Sequence, residues 1–363
     1  MSGYWSPTVQ RLTPYVPGEQ RTGGNIVKLN TNENPYPPAP SVLAAIASVN
    51  GEQLRRYPAP ESDALRSAIA RHHKVSVEQV FVGNGSDEIL ALSFLAFFSG
   101  RDALQFPTPS YSFYPVYCGL YGIVSQPLVL DQNFNLDLAR FAVSRSDSAG
   151  GIIFPNPNAP SGLAVSRADI ATLLERHAGV VLVDEAYADF GAESAIPLVA
   201  EHPNLIISRT FSKGRSLAGM RLGYAVASEE LMDGLRRVKN SFNSYPVDAV
   251  AEAAGIASLE DDHAYRGSLS RILSTRTAFT ESLRKRGFEV LESAANFVFA
   301  RPPSVAATAL AQSLANAGVL VRHWQQPAIE QWLRISIGTD EDMQRLLTAV
   351  DTYLDDAAGA TGD

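Results

Sequence analysis

Cysteine is almost absent: Cys118 stands alone in 363 residues, so the chain forms no internal disulfide and offers no thiolate cage for a metal. Histidine is also sparse. His72, His73, His177, His202, His263 and His323 show neither H-E-x-x-H nor any comparable ligand spacing, which disfavours metal catalysis. A G-x-S-x-G elbow is missing, which disfavours a serine hydrolase. Positive charge is not in excess. The net charge is −8 with Lys and Arg dispersed, so nucleic acid is not an expected partner. Long apolar runs are absent as well. The longest, Ile89 to Phe98, is broken by Ser93 and reaches about half of the ~20 residues a membrane span needs. The opening stretch MSGYWSPTVQRLTPYVPGEQ holds no apolar segment of the signal-peptide kind, so a cytoplasmic protein without a membrane span is expected.

What is present is ordinary globular composition, 45% hydrophobic and 19% charged, in a chain longer than one core usually serves. Residues 1–40 are rich in Pro, Gly and Asn and read as an extended arm laid over another surface. From Ser41 onward short apolar runs alternate with helical patterns. Val80–Val82, Ala103–Phe106, Gly151–Phe154, Val180–Val183, Leu205–Ser208 and Leu222–Ala227 read as strands, and Ser86–Phe98 and Ala168–His177 as helices. This alternation predicts an α/β fold with a parallel sheet covered by helices on both faces. Beyond Pro246 longer helical segments mix with strands, suggesting a smaller C-terminal domain whose last residues, 355–363, fray. The expected division is an arm at 1–40 that contributes to the small domain and to dimer contacts, a large domain at 41–246 and a small α+β domain at 247–363.

Ligands of open α/β sheets bind beyond the carboxyl ends of strands, which directs attention to the polar residues there. Phe81 to Glu88 (FVGNGSDE) places two glycines before Ser86. It reads either as a backbone cradle for a phosphate at a helix N-terminus or as a glycine turn with Ser86 as the cap. Glu88 at the third glycine position argues against a dinucleotide site. Asp184 ends the most apolar strand, where an ionised carboxylate needs a cationic partner such as a pyridinium nitrogen, or else caps the next helix. Ser208 to Gly214 (SRTFSKG) sets the hydroxyls of Thr210 and Ser212 and the amine of Lys213 after a strand, with Arg221 eight positions on. That group suits a phosphate dianion and a Schiff-base lysine. Phe154 to Gly162 (FPNPNAPSG) is a rigid loop of turn residues.

In this order GNGSDE, PTPSYSFY, NPNAPSG, VDEAY, TFSK and LAGMRLGY resemble the fold type I aminotransferases, and the match spans nearly the whole chain. LTPYVPG near Tyr15, LNTNENPY, RRYP near Tyr57, VLVRHW with Arg322 and LRISIGT with Arg334 resemble the histidinol-phosphate aminotransferases among them. The resemblance implies pyridoxal 5'-phosphate as cofactor, carried covalently by Lys213, with Asp184 at the pyridine nitrogen. It further implies Tyr187 at the ring oxygen, Tyr111 stacked on the ring, and the backbone of Ser86 and Asp87 with Thr210, Ser212 and Arg221 at the phosphate. Tyr57 would reach the neighbouring subunit's cofactor in a homodimer with shared sites. Arg334, helped by Arg322 and Tyr15, would bind the anionic group of the amino donor and of 2-oxoglutarate in turn. The implied activity is a two-half-reaction transamination. An aromatic amino acid as donor, or lyase chemistry like that of threonine-phosphate decarboxylases, are the alternatives. Relatives often read NPNNPTG, but Ala159 stands here where the last Asn would contact the ring oxygen. Either Asn158 supplies that contact or Tyr187 acts alone. Retention of both Lys213 and Asp184 speaks against a non-enzymatic module on an enzyme scaffold.

Overall fold

The computed structural model of the chain describes residues 3–16, 18, 19, 21, 25–146 and 148–360. Twelve strands occur among them: β1 (Val27–Leu29), β2 (Val80–Gly83), β3 (Leu104–Thr108), β4 (Ser125–Val129), β5 (Ile152–Pro155), β6 (Val181–Asp184), β7 (Leu205–Thr210), β8 (Gly223–Ala227), β9 (Glu289–Val290), β10 (Phe297–Arg301), β11 (Val319–Val321) and β12 (Leu333–Ser336). Seven form one sheet in the order β2-β8-β7-β6-β5-β3-β4. The central strands are apolar on both faces because both are covered. Val181 and Val183 of β6 join one core with Phe154 and Ile207, while Leu182 joins another with Ile153 and Ile206. The sheet is mostly parallel, as the resemblance implied, with one reversed strand: β8 runs antiparallel to both β7 and β2. A strand's own side chains do not encode its direction, and the short 211–222 connection lets β8 return beside β7 without a crossover helix.

Strand β4 escapes a reading based on apolar runs because it is an edge strand, largely exposed, with Pro127 in its middle. β1 escapes it because three residues carry no period. Part of the arm is thereby drawn into the C-terminal half, where β1 pairs in parallel with β11 and buries Val27 and Leu29 among Leu333, Leu346 and Val350. The helix over Gly85–Ser93 starts one residue before the expected Ser86, with Asn84 at its N-cap, and continues as a π turn over Phe94–Phe98. The helix at Arg167–Arg176 is capped by Ser166, whose Oγ accepts the Asp169 N–H at 3.1 Å. Helices Ala249–Glu260 and Asp262–Lys285 lead to the antiparallel set β12-β10-β9. The last helix, Asp340–Ala360, runs through most of the stretch expected to fray; residues 361–363 lie outside the described residues. No helix among the described residues is long and apolar enough to cross a membrane.

Candidate active site

The register of the large sheet aligns Pro155 and Asp184, the last residues of β5 and β6, with Ser208, two residues before the end of β7. Side chains just beyond those ends enclose a cavity of about 300 Å³. Asp184, Thr210, Ser212 and Lys213 line it from β6 and β7, and Tyr187 lines it from the turn after β6. Ser86 and Asp87 enter from a helix N-terminus, Tyr111 from the loop after β3, and Arg221 from the loop before β8. Gly85 is required at that helix start: its φ is +79°, and a Cβ there would lie 2.8 Å from Arg221 Nη2. Gly223 on β8 is equally constrained, since a Cβ would collide with the Ser86 backbone nitrogen.

Asp184 is the most strained charge in the cavity. Its side chain is enclosed, and burial pushes its carboxyl from 3.8 up to about 7. The protein offers it little: the Ala186 N–H donates to Oδ1 at 3.2 Å, and the Tyr114 hydroxyl stands 3.5 Å from Oδ2, at the outer limit of a hydrogen bond. Lys213 lies across the cavity, its Nζ donating to the Thr31 carbonyl at 3.0 Å and standing 5.7 Å from the Tyr187 ring centre. Asp87 accepts from the Tyr111 hydroxyl at 2.8 Å and from Arg221 Nη2 at 3.0 Å. Burial and Asp87 together hold the Tyr111 hydroxyl well above the usual tyrosine range, so it stays a proton donor.

A second cavity of about 220 Å³ adjoins the first and shares Thr31, Tyr111, Ala159, Tyr187 and Lys213 with it. Tyr15, Asn32, Arg322, Trp324 and Arg334 are among the residues that line it further. Arg322 and Arg334 face each other across a two-way backbone bridge, with N–O distances of 3.0 and 2.9 Å. Both guanidiniums stand 5.2 Å from the Trp324 ring centre. Arg334 is enclosed: Nη2 donates to the Asn30 carbonyl at 2.9 Å, but its buried Nε has no partner. Burial, with Arg322 nearby, lowers its proton affinity. A buried guanidinium with an unmet donor, doubled by a second one, is a site built for an anion.

Two residues of the expected set do not line the cavities of this chain: Asn158, expected at the ring oxygen, and Tyr57, expected at a partner's site. Asn158 is buried outside both cavities, its amide committed to Ser110, Ser161 and the Pro109 carbonyl at 3.0 to 3.3 Å, so Ala159 forms the wall instead. Tyr57 is 82% exposed and stacks on Tyr245 with ring centres 4.8 Å apart. Sequence reasoning in turn passed over Asn32, which donates to the Tyr187 hydroxyl at 2.9 Å, and Trp324 between the arginines. Both sit inside motifs already noted, LNTNENPY and VLVRHW; only the contacts were invisible.

Residues 24–350 match the family described as aminotransferase class I and II. The chain belongs to that family. It is 51% identical to the histidinol-phosphate aminotransferase of Aromatoleum aromaticum over 351 residues, 96% of this chain and 99% of that one. It is 53% identical to histidinol-phosphate aminotransferase 1 of Bradyrhizobium diazoefficiens over 348 residues, 96% and 98% of the two chains. The histidinol-phosphate aminotransferase of Sinorhizobium meliloti, solved in complex with pyridoxal-5'-phosphate, superposes with a TM-score of 0.85 over 96% of this chain and 97% of that one. Its 24% identity makes this a likeness of fold. As a class I and II aminotransferase the enzyme depends on pyridoxal phosphate. The first cavity fits that group: a buried carboxylate lacks a cation, an amine stands opposite, and a helix N-terminus meets hydroxyls and an arginine suited to a phosphate. No group of three or more His, Cys, Asp or Glu side chains that could hold a metal ion occurs among the described residues.

Proposed function

We propose that this aminotransferase transfers the amino group of histidinol phosphate to 2-oxoglutarate. The observation that carries the reading is the junction of the two cavities, which sets Lys213 and Tyr187 between a cofactor-shaped site and a paired-arginine site. The relatives' names supply the substrate, and the two arginines give it a physical basis. Bound pyridoxal phosphate supplies an electron sink for the carbanion left when the substrate carbon loses its proton. Asp184 keeps a proton on the ring nitrogen. Lys213 would hold the cofactor between turnovers, and its Nζ would take up the proton that leaves the substrate carbon and return it in the transfer. Tyr187 donates to the ring oxygen and Tyr111 covers the ring. The backbone of Ser86 and Asp87, the hydroxyls of Thr210 and Ser212, and Arg221 hold the phosphate, with Arg221 exchanging its Asp87 partner for it.

Arg334 takes the anionic end of either substrate, Arg322 adds the second cation that a phosphate calls for, and Tyr15 adds its hydroxyl. Planar guanidiniums accept carboxylate and phosphate alike, which allows one pocket to serve both half-reactions. The deciding assay compares histidinol phosphate with phenylalanine, each with 2-oxoglutarate; preference for phenylalanine would overturn the substrate. Arg322→Ala should raise KM for histidinol phosphate by about 10- to 100-fold, the size of a charge-assisted hydrogen bond, and KM for phenylalanine by less than about threefold. Equal losses would point to an aromatic amino-acid donor.

The reading includes a cytoplasmic homodimer in which Tyr57 reaches the partner's cofactor phosphate, and a division into an arm at 1–40, a large domain at 41–246 and a small one at 247–363. Support for shared sites comes from exposed aromatic surface at Tyr57, 82% exposed, which stacks on Tyr245, itself 43% exposed. Support for the division comes from separate apolar clusters around the seven-stranded sheet and around β10 and β12. A buried free Cys118 accords with a reducing compartment. Mixing Tyr57→Phe chains with Lys213→Ala chains should restore activity. Half of the dimers are then mixed with one of two sites whole, so activity rises toward about one quarter of wild type. Activity no greater than the sum of the parents would show that each site is built from one chain.

A further inference from the structure

Asn32 is 1% exposed and every polar group it has is engaged. Its backbone N–H donates to Ser336 Oγ at 2.8 Å, and its carbonyl accepts from Asn296 Nδ2 at 3.0 Å. Ser336 Oγ returns its own proton to Asn32 Oδ1 at 2.9 Å. That exchange settles which way the amide points. Turned over, the amide would leave the serine proton without its acceptor and would set a second donor beside the Asn32 N–H on Ser336 Oγ. Nδ2 therefore faces Tyr187 and donates to its hydroxyl oxygen at 2.9 Å. A tyrosine oxygen that accepts there still has one proton, and Tyr187 lines both cavities. The ring itself is held edge-on by Phe297, with centres 5.2 Å apart, so the hydroxyl has little room to wander.

We propose that Asn32 is a positioning residue for the reaction: by donating to Tyr187 it commits the tyrosine's own proton to the cofactor's ring oxygen. The same amide ties that proton to the anion site, because Ser336 stands two residues after Arg334 on β12 and shares its face of the strand. The backbone suits this use of asparagine. Asn32 has φ +55°, a left-handed conformation that asparagine tolerates better than bulkier side chains. The inference rests on Tyr187 being the donor to the ring oxygen, and the test separates the two.

The readout is the pH midpoint of the visible band of bound pyridoxal phosphate in the holoenzyme. Removing a donor from the ring oxygen leaves its negative charge less neutralised, so the neighbouring imine holds its proton more firmly and the midpoint moves up. Asn32→Asp keeps the shape but turns the donor into an acceptor that claims the tyrosine's proton. It should raise the midpoint by about one unit, the scale of one hydrogen bond to a charged group, and lower kcat more than it raises KM. Asn32→Gly, which keeps the left-handed backbone, should move it the same way by less. Tyr187→Phe should raise it at least as far, and Asn32→Asp should add nothing in that background. An unmoved midpoint in Tyr187→Phe sinks the reading of Tyr187 and the inference with it. A moved midpoint there but not in the Asn32 variants sinks the inference alone, as does a drop in melting temperature of the cofactor-free protein as their sole effect.

Discussion

Lys213→Ala is expected to lose transamination by a factor of at least ~10⁴, the upper range for a single positioned acid–base group, because the same Nζ also holds the cofactor. Borohydride reduction should no longer join protein and cofactor. The sequence has five lysines, and Lys213 is the one that lines the cavities. Lys28 is paired with Glu33 at 2.8 Å, and Lys239 is buried against Glu61 at 2.7 Å. Lys74 sits at a helix C-terminus and Lys285 at the end of another, and neither lines the two cavities. A reduced adduct on the variant, located by peptide mass, would assign the cofactor to one of these instead. Added methylamine should restore part of the proton transfer if the alanine leaves the pocket intact.

Asp184→Asn is expected to lower kcat by about 10²- to 10³-fold, the usual cost of removing one preorganised electrostatic contact, with little change in shape. Near-normal turnover would remove Asp184 from the mechanism. Stability supplies an independent check. In the cofactor-free protein burial sets the carboxyl at about 7, against 3.8 in the unfolded chain. The folded state then binds the extra proton in that window, so this group's contribution is fully present below 3.8 and is lost as pH rises through about 7. A difference of roughly three units is on the order of 4 kcal/mol. Cofactor-free wild type should therefore lose melting temperature relative to cofactor-free Asp184→Asn between about pH 4 and about pH 7, since the amide does not titrate. Parallel curves would mean that the carboxyl is not held in a desolvated site. Binding of the cofactor should shrink the effect, because a protonated ring nitrogen gives the carboxylate its missing partner.

The sequence by itself determined the α/β class, most central strands and the chemistry-bearing ends of β6 and β7, because these are local properties. An unbroken apolar run such as Val180–Val183 records burial on both faces, and a polar residue at its end records where burial stops. Asp184, Lys213 and Arg221 were legible for that reason, helped by the ordered motifs around them. Tertiary structure alone decided the reversal of β8, the recruitment of β1 to β11, and the withdrawal of Asn158 behind Ala159. It also decided which donors meet which acceptors. Asn32 and Tyr187 lie 155 residues apart, and Asn32 and Ser336 304. Hydrogen bonds act over about 3 Å and depend on direction, so they leave no periodic trace along a chain. Apolar burial is summed over neighbours and repeats with the pitch of strand or helix, and that is why the fold could be read early and the orientation of the Tyr187 proton could not.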